Sequence, residues 1–295
     1  MADNVSPSLE PPKDADGSVA GWTQLVAAVA AMETPATLAQ LQACYGTPNG
    51  VEFGNPGTLI GGLASDPTIL QGEAPAGIYP HIVWFVTRSE QAATTFGQTL
   101  GQLPEVLNPM NCGTPDQCGA LAGQIMTGSG GLTETANAIV ADAGPLVQRL
   151  STLVHGVAGP LRDFNSAAAD LSSAAAAAAA AGPTDLPPLQ AAAAAAAARV
   201  RSALELLDPE VAGLNVAAVV EALVDAVKGM TATWQQVSDG LTAIVADTAP
   251  AQLGSPAYCR STLHLDEAVA DWNAFAEALT GFISNSLVSQ HTAVP

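Results

Sequence analysis

Four cysteines and four histidines are the side chains of this 295-residue chain with the widest chemical reach. Cys44, Cys112, Cys118 and Cys259 make an even count, which allows three pairings. Cys112 and Cys118 flank a Gly-Thr-Pro-Asp-Gln turn that can close a small loop, leaving Cys44 and Cys259 as the second candidate pair. Bonded, they would staple a protein that works in an oxidising place; the alternative is four ordinary reduced thiols. Zinc is not expected, because there is no Cys-x-x-Cys and His81, His155, His264 and His291 lie far from any such spacing. His264 beside Asp266 and Glu267 has the residue types for acid/base work. The two acids read better as first-turn residues that favour a helix N-terminus. Glu134 and Asp142, like Asp163 and Asp170, read as solvated acids rather than carboxylate pairs. Gly54-Asn55-Pro56-Gly57 lacks the Lys-Ser/Thr that a phosphate loop needs, and no Gly-x-Ser-x-Gly or His-Glu-x-x-His occurs. The expectation is no catalytic, cofactor or metal site, hence not an enzyme.

Composition narrows the classes further. Lys and Arg number 8 against 27 Asp and Glu, a net charge of −19, and only 12% of residues are charged. Two lysines, Lys13 and Lys228, and six scattered arginines give no basic footprint for nucleic acid. The same deficit argues against docking on anionic lipid by charge. Hydrophobic residues make up 48%, too many for a wholly disordered chain. Residues 1–17 are polar, acidic and Pro-rich and lack a signal-peptide pattern, so a disordered acidic tail is expected there.

The elements that would carry these residues read as helices. Ser18 is placed to cap a short helix with Val19, Trp22, Leu25, Val26, Val29 and Met32 on one face. Thr34-Pro35 restarts a helix, and 46–79 reads as a long loop. A helix from about Pro80 to about Leu103 is ended by Pro104, Asn108-Pro109 and the Cys112–Cys118 turn. From Leu132 the positions Ile139, Ala143, Leu146, Leu150, Leu153, Val157, Leu161, Phe164, Ala168 and Leu171 step by threes and fours, a heptad seam. Gly144-Pro145 and Gly159-Pro160 should bend this arm. A returning arm carries Leu204 to Thr248, with a break at Asp208-Pro209-Glu210, and a last helix runs from about Leu265 to Val288. The four tryptophans fall on seams and read as core. Unbroken, the two arms would be roughly 75–90 Å long at ~1.5 Å per residue. A compact globule of this length is about 45 Å across.

The expected fold is therefore all-α: an elongated antiparallel bundle of long helices with an Ala-rich apolar hairpin head. After the 1–17 tail, 18–295 would form a single elongated helical domain, its tail bundle 18–165 and 200–290 and its head hairpin 166–199. Alanine supplies 59 residues, and between Leu171 and Ala198 the one charge is Asp185. Two readings of this hairpin compete. It is a head that enters lipid, where Ala-rich helices satisfy their own backbone and approach closely. Or alanine is simply a strong helix former that lets two arms pack tightly. The membrane-inserting residues in the first reading are Leu171, Ala174, Ala176, Ala180, Pro183, Leu186, Pro187, Pro188, Leu189, Ala191, Ala194 and Ala198.

The seam 139–171, the hairpin 171–198, the arm ending in Trp234-Gln235-Gln236-Val237-Ser238-Asp239-Gly240-Leu241 and the stretch Ala268–Phe282 with Trp272 follow one another in a familiar order. Over roughly 18–290 this organisation resembles the cytolysin A-like superfamily of α-helical pore-forming toxins, which includes components of hemolysin BL and the non-hemolytic enterotoxin. The resemblance implies a soluble, secreted toxin or toxin component without a classical signal peptide, hemolytic or insecticidal in type. Its partners would be the target-cell membrane, copies of itself in a membrane-bound homo-oligomer, and partner toxin subunits. The alternative function is a non-lytic, rod-shaped helical scaffold or interaction protein.

Overall fold

A computed structural model describes residues 8–32, 78–180, 186–206 and 216–285. Among them the chain is predominantly helical and has no strand, so the all-α class holds. One isolated antiparallel bridge joins Lys13 and Val19. The helices are α1 (Trp22–Met32), α2 (Ile78–Val106), α3 (Pro109–Cys112), α4 (Pro115–Thr127), α5 (Leu132–Ala180), α6 (Leu186–Leu206), α7 (Val216–Asp247), α8 (Pro250–Leu253), α9 (Pro256–Ser261) and α10 (Leu265–Asn285). The expected restart at Thr34-Pro35, nearly all of the loop 46–79, Gly182-Pro183 and the Asp208-Pro209-Glu210 break lie outside the described residues.

The single domain expected over 18–295 divides by its contacts into two compact units. Unit 1 comprises Met1–Ala27, Pro56–Val147 and Asp225–Pro295; unit 2 comprises Ala28–Asn55 and Gln148–Val224. The division runs through α1, α5 and α7, just after Pro145 in α5.

Unit 1 is built around large side chains that heptad spacing delivers to one place. Phe96 of α2, Trp234 of α7 and Trp272 of α10 are at most 1% exposed. Trp234 and Trp272 stack with ring centroids 5.5 Å apart, and Phe96 lies 4.5 Å from Trp272. Trp22 meets Phe275 and Phe282 edge-on at 5.9 and 5.6 Å, the arrangement that the ring quadrupole favours.

Three expectations need correction. Residues 8–17 are not a disordered tail. Leu9 is buried, its amide donates to the Leu263 carbonyl at 3.1 Å, and its own carbonyl accepts from Trp272 Nε1 at 3.0 Å. Lys13 pairs with Asp271 at 2.5 Å and with Glu10 at 3.5 Å. Buried main-chain bonds and the ion pairs of Lys13 thus offset the entropy of ordering a Pro-rich segment. Second, Ser18 does not cap α1. Its amide and hydroxyl donate to the Asp16 carboxylate, and α1 starts later, after Gly21 at φ 77°. Gly21 sits against the backbone of Gly229 with no space for a Cβ, and Thr233 Oγ1 donates to the Ala20 carbonyl at 2.8 Å.

Third, α2 runs through Pro104 to Val106 and stops short of Asn108-Pro109, so Pro104 does not itself end it. Leu103 and Leu107 are both buried there, and packing holds the last turn in place. α5 is continuous over 49 residues, through both Gly-Pro pairs. The clash of a helical proline falls partly on the Cβ of the residue before it, and glycine has none. The lost backbone hydrogen bond is outweighed around Pro145 by burial of Ala143, Leu146 and Leu150.

Candidate functional site

The alanine segment lies in unit 2, on the C-terminal half of α5 and on α6. The leading Leu186-Pro187-Pro188 fits the first turn of α6, where amide groups lack intrahelical partners and proline costs little. An ion pair, Arg199 to Asp170 at 2.6 Å with both side chains about half exposed, ties α6 to α5. Ala167 and Ala196 are buried.

Most of the proposed head residues, however, face water. Ala176, Ala180, Pro187, Pro188, Ala191, Ala194 and Ala198 are exposed; Leu171, Ala174 and Leu189 are half-buried. Pro183 and the side chain of Leu186 lie outside the described residues. No helix among the described residues is long and apolar enough to cross a membrane. The arrangement is a low-charge, small-residue surface on two helices, presented rather than covered.

Unit 1 offers a second feature, an open groove of about 360 Å³ between α2 and the start of α5. Arg88, Gln91 and Thr95 line one side, and Gly130, Glu134 and Thr135 the other. Arg88 Nε donates to Asp142 at 3.1 Å, and Glu134 accepts from the Gly130 amide at 2.6 Å. Glu134 and Asp142, which sequence alone leaves as separate solvated acids, are both engaged here. Fifty-four residues separate Arg88 from Asp142, so no short-range spacing announces that pair.

Cys112 and Cys118 are bonded, with Cα atoms 4.9 Å apart. Thr114 and Gln117 form a capping box between them, and Gly113 takes φ 91°. Cys259 is a free, buried thiol that donates to the Leu253 carbonyl at 3.5 Å. Its proposed partner, Cys44, lies outside the described residues. Asp266 and Glu267 occupy the first turn of α10, and His264 precedes it at φ 54°. Buried His81 sits edge-on to Trp84 at 5.4 Å, while the side chain of His155 and all of His291 lie outside the described residues. Among the described residues no cluster of three or more His, Cys, Asp or Glu could hold a metal ion.

Burial pushes the Cys259 thiol up from 9.0 to about 11. The Asp271 hydrogen bond, the largest cause, raises Lys13 above 10.5. Both groups hold a proton more tightly folded than unfolded, so their contribution is complete below the unfolded values and is lost as pH rises through the folded ones. Stability should therefore fall between pH 9 and 11. The Cys259 part is about 2–3 kcal/mol, and Cys259→Ala should flatten the slope. Urea midpoints at pH 8 and 11 measure this.

Comparison of the chain with models of known families, with curated proteins and with solved structures finds no match.

Proposed function

We propose that this chain is a non-catalytic helical interaction protein that acts through its alanine hairpin, whose occupant is the hairpin of a second copy. The observation that carries the reading is the exposure of Ala176, Ala191, Ala194 and Ala198 on two adjoining helices. Small side chains let helix backbones approach closely and gain dispersion contacts along their length. The electrostatics favour self-association at this end. Copies of a chain carrying −19 repel one another, and the stretch 171–198 holds a single charge, Asp185. Asp170 is neutralised by Arg199. Two copies meet there against the least repulsion.

The test is sedimentation of the full chain over a concentration series. Wild type should show a concentration-dependent dimer. Ala176→Asp/Ala194→Asp should stay monomeric and folded, because aspartate at an exposed helix position costs only about 0.7 kcal/mol. A wild type that remains monomeric at millimolar concentration would reject the self-association.

A second reading keeps the same surface and changes the occupant. Exposed alanines without charge also suit a secreted component of a helical pore-forming toxin, inserting its hairpin into a target membrane as an oligomer with copies or partner subunits. Alanine is weakly apolar, so insertion would depend on assembly to bury the small residues against one another. Dye release from liposomes, abolished by the same double substitution, distinguishes this reading.

A further inference from the structure

We infer that the Cys112–Cys118 bridge is a reductant-operated latch that fastens α3 to α4 in unit 1. The two sulfurs are unequally accessible: Cys118 is 1% exposed, whereas Cys112 is half-buried. Cys118 is shielded from behind by Gly254, at the end of α8, which packs against the Cys118 Cβ. An incoming thiolate therefore reaches the sulfur of Cys112.

The step balances with a dithiol as reductant, small or protein-borne. Its thiolate attacks Cys112 Sγ, the Cys112–Cys118 bond breaks, and the electron pair leaves on Cys118 Sγ. Cys118 lies in the first turns of α4, where helix amides favour a thiolate; it then takes up a proton. The second thiol of the reductant displaces Cys112, giving two protein thiols and an oxidised dithiol.

What the bridge holds is small and otherwise lightly attached. The four-residue α3 has no buried residue, and its Met110 is 91% exposed. Besides the bridge, Asn108 Oδ1 accepts from the Met110 amide at 3.0 Å, and Asn111 Nδ2 donates to the Glu105 carbonyl at 2.8 Å. These bonds are exposed and local to the α2–α3 side. Reduction therefore frees α3 from α4 while Leu103, Leu107, Ala122 and Met126 keep their buried places. The device loosens one corner of unit 1 on entry into a reducing environment.

The full-length protein treated with dithiothreitol in native buffer, then iodoacetamide, tests this by peptide mass and by hydrogen exchange. The expected result is reduction without denaturant and alkylation at Cys112. Buried Cys259 should stay unmodified, and exchange should rise at least tenfold over 108–117 with little change elsewhere. Cys112→Ser/Cys118→Ser should show the same local exchange without reductant. A bridge that resists dithiothreitol until the chain is unfolded would overturn the latch. So would reduction that leaves exchange over 108–117 unchanged, or one that raises it evenly through unit 1.

Discussion

Gly119→Ala should destabilise unit 1 by about 3 kcal/mol or more, the largest effect expected of a methyl group added at any described glycine. A Cβ on Gly119 would lie 2.8 Å from Pro250 Cα and closer still to the Pro250 carbonyl. These are backbone atoms, which cannot rotate aside as a flexible side chain would. The contact is reciprocal: a Cβ on Gly254 would strike the Pro115 carbonyl and come within 2.5 Å of the Gly119 amide. α4 and α8 therefore touch main chain to main chain, and either alanine forces them apart. Because both act on one contact, Gly119→Ala/Gly254→Ala should cost less than the sum of the single changes. Gly240→Ala supplies the control, since its Cβ meets nothing within 4 Å. It should stabilise α7 by about 0.5–1 kcal/mol. Urea denaturation measures all four variants, and a Gly119→Ala protein within 0.5 kcal/mol of wild type would contradict the close contact.

Trp272→Ala should cost about 3–5 kcal/mol, a large share of the 5–15 kcal/mol that separates folded from unfolded domains. The side chain is 1% exposed and touches Phe96, Trp234 and Phe275. It also holds the N-terminal segment through its bond to the Leu9 carbonyl. Two conservative replacements separate packing from hydrogen bonding. Trp272→Phe keeps an aromatic ring but leaves the Leu9 carbonyl without its donor, a loss of about 1–3 kcal/mol, with exchange rising at residues 8–17. Trp234→Phe is expected to be milder, because the buried Trp234 Nε1 has no hydrogen-bond partner to lose. Equal costs for the two Phe variants would contradict the role given to the Leu9 bond.

The parts of the fold legible in the sequence are those fixed by local periodicity. Ile139, Ala143, Leu146 and Leu150 announce the α5 seam, and all four are buried. Trp272, Phe275 and Leu279 do the same for α10. Other features depend on partners far along the chain. Leu9 is a lone apolar residue in a Pro-rich stretch, and what orders it is Trp272, 263 positions away. Arg88 and Asp142 belong to different helices. The continuity of α5 through Pro145 is supported by burial of Ala143, Leu146 and Leu150 on either side of it.

The candidate site follows the same division. That 171–180 and 191–198 are helical, and that 171–198 is nearly uncharged, is plain from the rows of alanines. That Ala176, Ala191, Ala194 and Ala198 face water is not, because alanine carries no periodic contrast to mark a buried face.

On the proposed function, this face is a contact surface between copies. The most direct measurement is the sedimentation equilibrium of wild type against Ala176→Asp/Ala194→Asp, with circular dichroism to establish equal helicity. Wild type should form a reversible dimer, and the variant should be a folded monomer. A variant that associates as strongly as wild type would contradict it.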